Sequence, residues 1–183
     1  LDDNKQKISG KETITYHNQS PEALSYLWLQ LDQNQQAEGS DSYSTQTGSI
    51  DERVTPNQLA RLERGKAVER GFNILTITDA KTMMRVDLPK PLAAGASYAF
   101  KVSWWYNIND RFKEGGRSGY EFFPKDSNYI YAIAQFFPRM CVYDDINGWQ
   151  HKQFLGGGEF TLVFGDYDVK ITVPADHAVA ATG

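Results

Sequence analysis

The sequence predicts an all-β domain, an antiparallel sandwich or curled sheet, with one short helix carried in an insertion. Three observations predict it. Apolar and polar residues alternate with period two in several short runs. Turn residues punctuate those runs about every ten residues. Aromatics are abundant, with ten Tyr, ten Phe and four Trp making 13% of the chain, as pleated faces favour.

The elements follow in order. In Lys11–His17 the alternation sets Ile14 and Tyr16 on one face. A polar turn with Asn18 and Pro21 follows, and Tyr26–Leu31 alternates again. There Leu27, Leu29 and Leu31 are expected inward and Trp28 and Gln30 outward. These two segments read as neighbouring antiparallel strands. Residues 33–70 read as a polar insertion. Its first part, 33–54, has almost nothing to bury and is expected to be a disordered surface excursion. Thr55-Pro56 then places an N-cap before proline at a first helical position, with Leu59 and Leu62 one turn apart and Gly65 as a stop.

Strands resume over Phe72–Thr78 and Thr82–Leu88, with Pro89, Pro91 and Gly95 as punctuation. Ser97–Tyr106 sets Tyr98, Phe100, Val102 and Trp104 against Ala99, Lys101, Ser103 and Trp105. Adjacent strand residues face opposite ways, so one of Trp104 and Trp105 belongs to the core and the other to the outer face. Residues 107–128 read as a long loop. Tyr129–Phe137 is nearly continuous apolar, and Phe160–Phe164 and Asp168–Val173 close the chain as strands. This order lacks the alternating β and α units of a parallel sheet.

Composition narrows function. The 183 residues are enough for a core without disulfides or metal. Nineteen basic against twenty-three acidic residues give a net charge of −4, which disfavours a nucleic-acid partner. No stretch approaches the ~20 apolar residues of a membrane-spanning helix. The single cysteine, Cys141, excludes an internal disulfide framework and a multi-cysteine zinc site, and its apolar flanks suggest an inert buried thiol. His17, His151 and His177 are far apart and none belongs to an HExxH motif, so no metal site is assigned. No GxSxG elbow occurs. Gly156-Gly157-Gly158 lacks the Lys-Ser/Thr of a phosphate loop and reads as a hairpin corner. Asp144-Asp145 and Asp166/Asp168 read as turn caps and solubilising charges, since neither pair opens a calcium loop. The aromatics admit three uses: core, a stacking platform for sugars, or a face covered by another domain.

From Tyr129 onward the chain reads YIYAIAQFFPRMCVYDDINGWQHKQFLGGGEFTLVFGDYDVKITVPADHAVAATG. This resembles the end of the amino-terminal β domain of the aminopeptidase N and leukotriene hydrolase family of zinc metallopeptidases. KISGKETITYHNQSPEALSYLWLQLD resembles that domain's opening strands, and VDLPKPLAAGASYAFKVSWWYNI its middle. The resemblance covers nearly the whole chain. It implies a saddle-shaped antiparallel sheet, a single domain over 1–183, and a parent enzyme whose thermolysin-like catalytic domain carries HExxH and zinc. Those motifs do not occur in this sequence, so it implies the non-catalytic first domain alone, read as a piece of something longer that starts one strand late.

The function so implied is to form one wall of the cleft of an enzyme that removes amino-terminal residues from peptides. The partners would be the catalytic domain of the same chain and the peptide substrate; cytoplasm and periplasm both fit. By the same resemblance Gln135, shortly before Arg139, corresponds to the Glu or Gln that binds the substrate's α-amino group. Its amide oxygen can accept from an ammonium and costs less to desolvate than a carboxylate. A glutamine satisfied by backbone groups at a strand end is the other reading. A different class of function also fits: a free-standing carbohydrate- or protein-binding β module using Trp105 or Trp149 as a stacking platform.

Overall fold

A computed structural model describes residues 1–37, 73–74, 82–114, 117–153, 161 and 163–182. The fold is mostly β, built from antiparallel sheets. β1 (Lys7–His17), β5 (Ser97–Asn107) and β3 (Asn73–Ile74) form one sheet in the order β1-β5-β3. β4 (Met83–Leu92), β2 (Leu24–Gln30) and β8 (Arg139–Met140) form a second in the order β4-β2-β8. β6 (Gly119–Phe123) and β7 (Asn128–Ala132) make a hairpin, and β9 (Tyr143–Asp144) and β10 (Gly148–Trp149) a smaller one. No helix among the described residues is long and apolar enough to cross a membrane. The predicted helix near 55–65 and the Gly156–Gly158 corner lie outside the described residues, as does all but 73–74 of the strand predicted over 72–78.

The two three-stranded sheets share a core. Leu29 and Met84 of one pack with Val102, Trp104 and Tyr106 of the other. β1 and β5 pair without a bulge from Lys7↔Asn107 to His17↔Ser97. Their inner face carries Ile8, Ile14 and Phe100, while Lys11, Thr13, Thr15 and Lys101 face solvent. The Trp doublet divides as the pleat requires: Trp104 is buried, and Trp105 lies on the opposite face under the Lys7 ammonium, 3.3 Å from its ring centroid.

Asn18 pins two chain reversals together, the β1–β2 and β4–β5 connections. It is fully buried, and its amide donates to Glu22 O at 2.7 Å and Leu92 O at 2.9 Å. Its Oδ1 accepts from the Ser20 amide and hydroxyl, and its own backbone exchanges hydrogen bonds with Gly95 and Ala96. Gly95, at φ 74°, takes a left-handed turn conformation that suits glycine.

Several sequence expectations are corrected. β4 continues through Pro89 and Pro91 rather than ending at Leu88. It is an edge strand, and its register jumps between Tyr26↔Asp87 and Leu24↔Leu92, so the prolines fall in the irregular stretch where no ladder amide is required. The loop expected over 107–128 contains a helical turn, α1 (Arg111–Glu114), and strand β6. Asp110 caps α1 by accepting from the Phe112 and Lys113 amides. Gln30 is buried rather than outward, and the apolar run from Tyr129 is strand only to Ala132. Asp168–Val173 joins no sheet among the described residues, since 163–174 carry no ladder, turn or bend; of the strand expected over 160–164, Phe160 and Leu162 lie outside the described residues. Alternation gives a segment two faces, but a strand also needs a neighbour for its backbone groups.

Glu12 is the discordant residue of the inner face. It sits opposite Val102, between the Gly10↔Trp104 and Ile14↔Phe100 pairs. Its Oε1 is buried without a hydrogen-bond partner, and burial lifts its carboxyl from 4.5 to about 7. A raised carboxyl stabilises the fold below pH 4.5, where both states are protonated, relative to its contribution above pH 7, where the folded state must hold a buried charge. We expect Glu12→Gln to match the native stability at pH 4 and to exceed it at pH 8 by on the order of 1–2 kcal/mol, after discounting for partial solvent exposure. Urea denaturation at the two pH values reads this out, and equal gains at both would contradict it. Gly10 is needed for close packing, since a Cβ there would lie 2.3 Å from the Trp104 ring. Gly10→Ala should cost about 1–3 kcal/mol in the same assay.

Candidate functional site

The site is built where β2 ends and β8 begins. β2 is the central strand of its sheet, and Leu27, Leu29 and Leu31 are fully buried. After Leu31 the chain enters a 3-10 helix over Asp32–Gln36. This stretch was expected to be a disordered surface excursion from residue 33 onward. Instead Asp32 is 1%, Gln33 6% and Asn34 2% exposed.

Their burial is matched by polar partners. The Asp32 carboxylate accepts from Gln30 Nε2 at 2.9 Å through one oxygen. The other oxygen accepts from Arg139 Nε at 2.9 Å and lies 2.7 Å from Arg139 Nη2. Arg139 belongs to β8, which pairs with β2 through Leu29↔Met140 and Gln30↔Arg139. Burial pushes the Asp32 carboxyl up, while the Arg139 guanidinium and the Gln30 amide oppose that shift.

This ion pair anchors one end of the segment holding Gln135. Gln33 grips its middle: Nε2 donates to Ala134 O at 2.8 Å and Gln135 O at 3.2 Å. The Ala134 amide donates to Ser118 Oγ at 3.2 Å. On the far side Phe136 packs edge-on against Trp104, with centroids 6.2 Å apart, and Pro138 is fully buried. Gln135 itself has φ 51°, a left-handed conformation that a side-chain-bearing residue adopts at a cost. The carbonyls on either side of that residue's turn are therefore held by protein. The half-buried Gln135 carboxamide makes no hydrogen bond with the described residues.

The other candidates do not converge on Gln135. His17 Nδ1 lies 2.6 Å from Ser97 Oγ, His151 stacks on Trp28 at 4.6 Å, and His177 sits between Asp176 and Asp3. Among the described residues no three His, Cys, Asp or Glu side chains stand close enough to hold a metal ion. Cys141 is 1% exposed, 3.7 Å from Met83 Sδ, and burial pushes its thiol up to about 12, which makes it a poor nucleophile. Asp144 caps the β9–β10 turn, accepting from the Ile146 and Asn147 amides at 3.0 and 2.8 Å.

The expectation of an exposed Trp149 is corrected. It is 7% exposed and packs against Tyr16 and Tyr143 at 5.7 and 5.3 Å. A sugar would also find the Trp105 ring covered by Lys7.

Sequence reasoning singled out Gln135 and missed Asp32 and Gln33. The available signal was the makeup of Asp32–Gln36, which directly follows an apolar strand and holds neither Gly nor Pro. Compared with family models, curated proteins and solved structures, the chain finds a match in none of the three.

Removing the Asp32 carboxylate would take away the ion-pair partner of a largely buried guanidinium. Asp32→Ala should destabilise the fold by about 3–5 kcal/mol. Gln33→Ala, which frees two carbonyls, should cost about 1–3 kcal/mol. Chemical denaturation checks both, and a Gln33→Ala loss as large as that of Asp32→Ala would contradict the assigned hierarchy.

Proposed function

We propose that this chain is the amino-terminal β domain of a zinc aminopeptidase, forming one wall of its substrate cleft. In this reading it docks on the catalytic domain of the same chain, and Gln135 binds the α-ammonium of a peptide substrate. Zinc belongs to the parent enzyme's catalytic domain, whose HExxH motif does not occur in this sequence. The observation that carries the reading is the unbonded Gln135 carboxamide on a left-handed residue whose backbone is gripped by Gln33.

The chemistry of recognition follows from those groups. An ammonium offers donors only, so its partner must present an acceptor. The Gln135 amide oxygen does so without the desolvation cost of a carboxylate. Because Gln33 and the Asp32–Arg139 pair fix the backbone before substrate arrives, less conformational entropy is lost on binding. A wall that recognises the free amine at a fixed place selects for peptide ends over internal segments.

The test compares substrates in the parent enzyme. Gln135→Ala should raise KM for a free-amine peptide about tenfold, the scale of one hydrogen bond to a charged group. KM for the same peptide with its amine acetylated should stay unchanged. If the ratio of the two KM values is the same in wild type and variant, the amine-binding role is wrong. A parent reading frame with no HExxH after Gly183 would overturn the enzyme assignment itself.

A further inference from the structure

The outer face of the β1–β5 ladder is cationic in a chain whose net charge is −4. The even-numbered residues of both strands, among them Ile8, Ile14, Val102, Trp104 and Tyr106, belong to the core, so the odd-numbered ones point outward. Those outward positions hold Lys7, Lys11 and Lys101 together with hydroxyl residues, and no carboxylate. Lys11, Thr13 and Lys101 are exposed. The side chains of Ser9, Lys11, Lys101 and Ser103 make no hydrogen bond or ion pair with the described residues. Lys7 lies over the Trp105 ring, and Asp2, which bridges Lys7 at the end of the ladder, is paired with Lys5 at 3.4 Å. A hollow of about 330 Å³ opens beside Lys11, with Ser9, Ser103 and Trp105 of this face in its lining.

We propose that this face docks an acidic polypeptide segment in extended conformation, lying along β1 with its carboxylates at alternate residues. Spacing carries the match. Lys7 and Lys11 are roughly 14 Å apart at the rise of a strand. Lys101 stands opposite Thr13, on the diagonal from Lys11 and roughly 7–8 Å from it. An extended partner has the same rise, so its alternate side chains, roughly 7 Å apart, keep step with all three lysines. A helical partner, rising about 1.5 Å per residue, falls out of step. Each docked carboxylate meets an ammonium and a neighbouring hydroxyl, because Lys11 stands opposite Ser103 and Lys101 opposite Thr13.

Charge complementarity selects an acidic partner, and the other side chains of the face decide its class. A chain of net negative charge repels polyanions in general, so the attraction is local to these lysines. A lipid surface calls for exposed apolar side chains that can insert, and β1 and β5 contribute none of the large exposed apolar residues. A single-stranded nucleic acid calls for an open ring on which its bases can stack, and Lys7 lies over the Trp105 ring. This face is separate from Gln135, so the contact stands or falls independently of the peptidase reading.

Fluorescence anisotropy of a labelled peptide of alternating Glu and Ser, titrated with the full chain at low salt where exposed charges are least screened, tests it. The peptide should bind with a Kd below about 1 mM. Lys11→Glu and Lys101→Glu should each weaken binding about fivefold or more, since each turns an attraction into a repulsion. Lys125→Glu, on the turn of the β6–β7 hairpin, should leave it unchanged. A peptide of equal charge with Glu at every third position should bind wild type about fivefold more weakly, because its carboxylates then alternate between faces. This last comparison needs no variant to fold. Absence of binding below about 1 mM, or indifference to the lysine reversals or to the Glu spacing, overturns the proposal. So does tighter binding of poly(dT), chondroitin sulfate or phosphatidylserine vesicles through the same lysines.

Discussion

The buried Asp32–Arg139 ion pair is the constraint on which the rest of this end of the molecule depends. A carboxylate and a guanidinium taken out of water cost several kcal/mol each, and only good geometry with further hydrogen bonds offsets that cost. Here Arg139 reaches one Asp32 oxygen through two nitrogens, and Gln30 satisfies the other. The pair joins the end of β2 to the start of β8, elements more than a hundred residues apart in sequence. Hydrophobic packing is non-directional, and the ion pair adds a contact that depends on the register. The short β8, two residues long, has little ladder of its own to set that register.

How much of this was legible in the sequence depends on the kind of signal. Period-two alternation reported β1, β2 and β5 well, because each has one face on the core and the signal is local. The same rule failed at Asp168–Val173, where alternation exists but no ladder to another described strand forms. It failed differently at Gly119–Phe123, where aromatic side chains and the turn at Pro124–Ser127 build a hairpin inside what looked like a loop. Gln135 was reached through resemblance. Asp32 and Gln33 were not reached, since their burial rests on partners about a hundred positions away. A polar run is legible as polar; whether it is solvated or buried and paired is decided by tertiary contacts.

The aromatic excess resolves into distinct uses. Trp104 and Tyr106 fill the shared core, and Trp149 closes the second cluster with Cys141 and Met83. Trp105 carries a cation rather than a ligand-ready face. Lys7 over that ring supplies the favourable electrostatics of a cation–π contact while shielding an outward indole. None of these uses needs a bound sugar, although the composition alone would have allowed one.

The remaining rings explain why the Gln135 segment is held at both ends. On the β6–β7 hairpin, Tyr120, Phe122, Tyr129 and Tyr131 form a cross-strand cluster with centroids 4.7 to 6.4 Å apart. Such pairs add stabilisation beyond simple burial and stiffen a two-stranded element that is marginal by itself. Tyr131 also donates to Asp3, tying the hairpin to the amino-terminal turn. The chain leaves this hairpin at Ala132 and meets the ion-paired β8 at Arg139, so the segment between them spans two fixed points. A left-handed residue persists only where its surroundings over-determine it. At Gln135 they do: Gln33 holds the Ala134 and Gln135 carbonyls, and the segment is tied at both ends.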